Sequence, residues 1–204
     1  QTKVLTAGLE WKELGSVKIG ETLVGVDENT WGRKRRKLRY SLVLSVTPVK
    51  LPAYVLVFED ERVVISSGEH RWLQVTANVR QHGQPTWTRT DKLQKGDKIR
   101  QIGRTWEIPN SYEAGYLAGS LDSEGNLEGM TEGTHGLRVG YSQKAGETLE
   151  KIDSIWKAFN FPIERSLPSQ QGVVHLRTPS MDTAIRILGS IRPQRLLKQL
   201  NLDG

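Results

Sequence analysis

The segment Tyr112-Glu113-Ala114-Gly115-Tyr116-Leu117-Ala118-Gly119-Ser120-Leu121-Asp122-Ser123-Glu124-Gly125 decides how the rest of the chain is read. Gly115, Ala118 and Gly119 recur at i, i+3 and i+4, the spacing of one helix face. Each Gly inside a helix costs about 1 kcal/mol against Ala. A bare stripe of this kind implies a compensating contact, a second helix backbone approaching more closely than larger side chains permit. Ala114, Leu117 and Leu121 on the opposite side belong to the domain's own core. The spacing predicts a helix over 112–122, entered through a capping box of Asn110 and Glu113 and broken at Gly125. A weak helix with incidental glycines is the plainer alternative.

The acids at the end of this helix carry the chemistry. Two such helices packed side by side bring the carboxylates Asp122 and Glu124 of each copy towards a two-fold axis. Carboxylates at the negative end of a helix repel one another. Divalent cations between them relieve this, and hard Mg2+ suits oxygen ligands, with Mn2+ as the other option. Metals bridging a phosphodiester activate water and stabilise the departing oxygen. An acidic pair inside a basic protein therefore points to phosphodiester hydrolysis.

The surrounding composition agrees. The chain has 204 residues, 36% hydrophobic and 25% charged, enough for one large or two small domains. It has no Cys, which excludes disulfide scaffolds, thiolate zinc sites and Cys nucleophiles within this sequence. No apolar run is long enough for a membrane span. The opening Gln1-Thr2-Lys3-Val4-Leu5 does not read as a signal peptide. A cytoplasmic protein with no membrane partner is expected, in a bacterial or phage-encoded context. Lys and Arg number 29 against 23 Asp and Glu, a net charge of +6, which suits a polyanion partner. The charge is concentrated: Arg33, Lys34, Arg35, Arg36, Lys37 and Arg39 fall within seven residues, flanked by Trp31 and Tyr40. This run reads either as a solvated loop or as an arm that tracks phosphates.

Residues 1–107 read as all-β, with short strands at Leu42–Val46, Tyr54–Phe58, Arg62–Ser66 and Trp72–Thr76. Within them, Ser16–Val24 and Asp91–Ile99 share the pattern polar-apolar-x-x-Gly-acid-x-apolar, a turn feeding a strand. The repeat suggests a β fold built from two related halves, although two β-turns can also match by chance. From Ile108 the texture changes. Beyond the first helix come a strand or hairpin between Gly125 and Ser142 and a helix at Gly146–Phe159 with Leu149, Ile152, Ile155, Trp156 and Phe159 on one stripe. Strands at Ile163–Leu167 and Val173–Leu176 and helices at Met181–Leu188 and Gln194–Leu200 complete an α-β-β-α-β-β-α order plus a final helix. The fold class is α+β, an all-β region (1–107) followed by an αββαββα domain (108–204) with helices on one face of an antiparallel sheet.

The segment Leu117-Ala118-Gly119-Ser120-Leu121-Asp122-Ser123-Glu124-Gly125 resembles the signature of the LAGLIDADG homing endonucleases without a gap, with Ser120 and Glu124 as departures from the commonest residues. The resemblance implies that Glu124, with Ser123 beside it, holds the metal, and that Gln143 in Val139-Gly140-Tyr141-Ser142-Gln143-Lys144 orders water nearby. It also implies a basic residue near the last helix, Arg195 or alternatively Lys198. The first half is similar to Hedgehog/intein (Hint) domains: Thr2–Thr6, the Gly20-Glu21 turn, and Ser67-Gly68-Glu69-His70, which resembles the Hint block that assists an acyl shift. With Gln at position 1, no Cys and no terminal His-Asn pair, splicing is not expected and His70 reads as a remnant or structural residue.

The resemblance implies a site-specific double-strand DNA endonuclease. A single signature helix supplies one carboxylate set, so a homodimer through Gly115, Ala118, Gly119 and Asp122 is expected, on a near-palindromic site. Arg138, Lys144, Arg165, Gln170, Gln171 and Arg177 on or beside the later strands are candidates for base or phosphate contacts, with Gln143 at the same edge. Two readings compete: a non-catalytic DNA-binding protein or RNA-splicing helper of the same fold, and autoprocessing by the Hint-like half. His82, His135 and His175 stand at no ligand spacing and read as structural. Trp11, Trp72, Trp87, Trp106 and Trp156 read as core.

Overall fold

The computed structural model describes residues 2–28, 36–75, 85–100, 103–129 and 136–202. Trp31, Arg33, Lys34, Arg35, His82 and His135 lie outside the described residues. The protein is a mixed α+β chain with many antiparallel strands, of which β1 (Lys3–Leu5) and β2 (Trp11–Glu13) come first in the sequence. Its residues gather into two compact units that interleave along the chain.

The first unit comprises Gln1–Val4, Lys12–Gly20 and Val43–Gly103. It contains the hairpin β5 (Ala53–Val57) with β6 (Val63–Ser67), and the three-stranded sheet of β7 (Arg71–Val75), β8 (Thr86–Arg89) and β9 (Lys98–Ile99) in the order β8-β7-β9. Thr90 is its polar knot. The buried hydroxyl lies 2.8 Å from Ser66 Oγ, accepts from Trp72 Nε1 at 2.8 Å, and donates to the His70 carbonyl at 3.2 Å. The expected strand at Leu42–Val46 is displaced. The pairing strand is β4 (Leu38–Leu42), whose Leu42 ends the register opposite Thr22, and Val43–Val46 is not extended sheet.

The turn-and-strand echo has a structural counterpart. Single 3-10 turns at Leu14–Ser16 and Thr90–Lys92 lead into Val17 (φ −68°, ψ 138°) and Leu93 (φ −68°, ψ 144°). Each is followed by a glycine in the left-handed region, Gly20 at φ 85° and Gly96 at φ 95°. Only Gly adopts these angles without steric cost, which is why both copies keep it.

The second unit comprises Leu5–Trp11, Glu21–Leu42 and Arg104–Gly204. Two N-terminal stretches thus gather with the C-terminal half in one compact unit. Specific contacts account for this. The Trp11 and Trp106 rings meet edge-on at 5.1 Å, Arg192 reaches the Gly8 carbonyl at 2.5 Å and Glu10 at 3.0 Å, and the Tyr40 hydroxyl donates to the Leu200 carbonyl at 3.3 Å. Strand β3 (Thr22–Val26) pairs with β4 in this unit, so Arg36, Lys37 and Arg39 belong with the helical half.

The body of this unit is a four-stranded antiparallel sheet, order β10-β11-β13-β12, made of β10 (Gly125–Glu128), β11 (Arg138–Lys144), β12 (Glu164–Arg165) and β13 (Val173–Arg177). Helices α1 (Tyr112–Glu124), α2 (Glu147–Ala158) and α3 (Met181–Ile191) pack on one side, and α4 (Gln194–Gln199) follows. The order matches the sequence pattern. Alternation explains the layering: Val139, Tyr141, Val174 and Leu176 are buried, while the residues between them turn to the other side. Leu117, Leu121, Leu149, Ile152, Trp156, Ile187 and Leu188 complete the core, each worth about 1.5–3 kcal/mol in buried apolar surface.

Candidate functional site

Helix α1 is started by Ser111 rather than by the expected Asn110–Glu113 box. Ser111 is extended (φ −140°, ψ 161°) and its hydroxyl accepts from the Ala114 backbone N–H at 3.2 Å. Two neighbouring cap-type residues compete, and the one holding the extended backbone takes the role. Leu117 and Leu121 are fully buried and Ala114 nearly so. Gly115 and Gly119 are exposed, and a Cβ built on either meets nothing within 4 Å. The bare stripe, with Ala118 partly exposed between the glycines, is open within one chain. Next to it lies a group that the sequence reading overlooked. The Tyr112 and Tyr116 rings lie 6.0 Å apart, and the Lys151 ammonium sits 5.2 and 4.2 Å from their centroids. Aromatics at i and i+4 with a Lys on the facing helix were the available signal.

At the other end of α1 the two acids part company. The Asp122 carboxylate accepts from the backbone N–H of Gln194 at 2.9 Å and of Arg195 at 2.8 Å, capping α4 from outside. Helix α4 needs an outside cap because Pro193, at its N-cap, makes no side-chain cap bond. Arg195 in turn donates to the carbonyls of Asp122 (2.5 Å), Leu121 (3.0 Å) and Gly125 (2.5 Å). The Asp122 carbonyl is among those a helix C-terminus leaves unpaired, the Leu121 carbonyl also accepts the Gly125 N–H, and a guanidinium there opposes the helix dipole.

Glu124, between the clamped residues Asp122 and Gly125, is exposed, and its side chain makes no hydrogen bond or ion pair among the described residues. Gly125 pairs with Tyr141 across β10 and β11. Burial raises the Tyr141 phenol pKa; a Gln143 hydrogen bond works against this, and the nearby Glu124 charge adds to it. Glu124, Tyr141 and Gln143 are thus neighbours at one corner of the sheet. The Gln143 Oε1 also accepts from the Lys144 N–H at 2.9 Å. Ser123 is exposed and its hydroxyl donates to the Ser120 carbonyl at 3.0 Å. Ser120, the departure from an apolar residue, donates to Tyr116 at 2.8 Å and so satisfies itself on the helix backbone. Among the described residues, no three His, Asp or Glu side chains are grouped to hold an ion.

The helix-free side of the sheet is polar. Register places Asn126, Glu128, Arg138, Ser142, Lys144, His175, Arg177 and Glu164 on it. His175 is not isolated: its Nδ1 lies 2.7 Å from Ser142 Oγ. Arg165 points the other way. It pairs with Glu150 at 2.5 Å and with Asp153 at 2.7 Å, and Asp153 is buried and also bound by Lys157. Register predicts this, since Arg165 sits opposite core residue Leu176 whereas Glu164 sits opposite Arg177. Gln170 and Gln171 lie exposed in a turn closed by Gly172 N–H to the Ser169 carbonyl at 2.9 Å. On the basic hairpin, Arg39 pairs with Asp27 at 3.0 Å and Arg36 donates to the Glu28 carbonyl at 3.3 Å.

In the first unit Ser67 and His70 form one turn, closed by His70 N–H to the Ser67 carbonyl at 3.2 Å. The His70 ring meets Trp72 edge-on at 4.7 Å, and this partial burial lowers its pKa from 6.5. Among the described residues, no helix is long and apolar enough to cross a membrane. No protein-family model matches the sequence, and comparison with curated proteins finds no match either.

Proposed function

We propose that this chain is a site-specific, divalent-metal-dependent double-strand DNA endonuclease of the LAGLIDADG kind, acting as a homodimer in which two α1 helices meet along Gly115, Ala118 and Gly119. The observation that carries the reading is the pairing of an exposed, unengaged Glu124 with an open glycine stripe on the same helix. Both features are costly unless used: the glycines weaken the helix, and the carboxylate sits at its negative end.

A hard divalent cation fits the donor chemistry, because Glu124 offers a carboxylate that no protein cation neutralises among the described residues. Glu124 of each copy would hold it. When bound, Mg2+ or Mn2+ would supply charge stabilisation at the scissile phosphate and a more acidic water. The protein's own part is positional. Asp122 and Arg195 fix the end of α1 to α4, so Glu124 projects from a rigid terminus. Gln143 holds a polar edge beside it, and the outward sheet face offers Arg138, Lys144 and Arg177 to a duplex.

A non-catalytic DNA-binding reading draws support from Arg195, whose guanidinium is occupied by three backbone carbonyls. One experiment separates the two. A randomised duplex library is incubated with the protein and Mg2+ or Mn2+, and cut ends and retained duplexes are sequenced. Defined ends from wild type, lost in Glu124→Gln by at least about a hundredfold while the same duplexes are retained, support the nuclease. Retention without cutting by wild type favours the non-catalytic reading, and no retention at all removes both.

A further inference from the structure

The helix-free side of the sheet carries an acid in an unexpected place. Glu164, on edge strand β12, sits opposite Arg177 of β13, and its Oε2 accepts from Arg177 Nε at 2.7 Å and from Arg138 NH1 at 3.3 Å. Both arginines find their ion-pair partner in this one carboxylate oxygen among the described residues. The three side chains are 24%, 45% and 50% exposed for Arg138, Glu164 and Arg177. Pairs this exposed contribute little to folding stability. A carboxylate on a face that meets a polyanion is, by contrast, expensive, since phosphates are attracted by the same guanidiniums it occupies.

We propose that Glu164 sets selectivity on this face, by holding two arginines away from indiscriminate phosphate contact while leaving them able to read base edges. The inference rests on the reading of the sheet as a duplex-binding surface. Its logic is in the atoms used. Arg177 is held through Nε, which leaves both terminal amino groups for the paired O6 and N7 acceptors of a guanine. Those acceptors are neutral, so Glu164 can stay in place while the base is read. A phosphate contact instead brings an anion beside the carboxylate or breaks the ion pair, and either weakens it. Glu164 therefore lowers binding to arbitrary sequence more than binding to the preferred one. It is a positioning residue, acting through Arg138 and Arg177.

The test uses the full chain and two fluorescent duplexes, one of random sequence and one recovered by wild type from a randomised library, titrated over a range of salt. For Glu164→Gln the expected result is about threefold to tenfold tighter binding to the random duplex, a salt slope steeper by about one, and a smaller ratio of selected to random affinity. Melting temperature should stay that of wild type, which a merely structural role would not predict. Glu164→Thr, suited to a strand, provides the second variant, and adding Arg138→Gln and Arg177→Gln should cancel the gain. Random-duplex affinity unchanged within twofold in both Glu164 variants overturns the proposal while leaving the DNA-binding reading intact. Failure of wild type to bind either duplex overturns both.

Discussion

Asp122 and Arg195 hold each other reciprocally: the carboxylate of Asp122 accepts from the Arg195 backbone N–H at 2.8 Å, and the Arg195 guanidinium donates back to the Asp122 carbonyl at 2.5 Å. One residue caps the start of α4 and the other closes the end of α1. Removing the Asp122 side chain should therefore uncap the start of α4, while the backbone carbonyl that Arg195 holds stays in place. Asp122→Ala is expected to cost about 1–2 kcal/mol, read as a lower urea midpoint and a melting temperature down by about 2–8 °C. A variant as stable as wild type would remove Asp122 from this structural role.

Gly119 offers the opposite sign. A Cβ at this exposed helical position meets nothing within 4 Å, so Gly119→Leu should gain up to about 1 kcal/mol of helix propensity in the isolated chain. The same side chain would block close approach of a second α1. The expected pattern is a chain at least as stable as wild type that light scattering reports as monomeric under conditions where wild type is dimeric. A variant that still forms the wild-type dimer would place the interface elsewhere.

His70 predicts a pH dependence of folding. Partial burial against Trp72 lowers its pKa below 6.5, so the unfolded chain binds the proton more readily than the folded one. The stability this preserves is complete above pH 6.5 and declines as the pH falls from there towards the folded value. Thermal melts of wild type against His70→Gln should converge as the medium is acidified through this window. Parallel curves would show that the imidazole is equally hydrated in both states.

Much of the helical half was readable in advance, for a physical reason: periodicity reports burial. Leu117 and Leu121 against Gly115 and Gly119, and Val139 and Tyr141 against Arg138 and Ser142, each declare a face through spacing alone. What escaped depended on partners distant in sequence or on a register shift of one. An acid in the last helical turn looks the same whether it waits for a cation, as proposed for Glu124, or caps another helix, as Asp122 does. Arg165 and Arg177 look alike in the sequence, but the two-residue strand β12 turns Arg165 to Glu150 and Asp153 and turns Glu164 to the other face. No local pattern reveals that Tyr40 meets Leu200, so the hairpin carrying Arg36, Lys37 and Arg39 could not be assigned to the helical half from sequence.

That interleaving governs how the protein can be dissected or recombined. A fragment beginning at Arg104 carries every long helix of the described residues and yet lacks Trp11 for Trp106, Tyr40 for the Leu200 carbonyl, and Gly8 and Glu10 for Arg192. Arg192 ends α3 in the left-handed region at φ 63°, an arrangement that tethers from the chain's first residues help to secure. No single crossover point frees the helical unit intact, and a transplantable version must carry Leu5–Trp11 and Glu21–Leu42 with it, spliced in as its own scaffold.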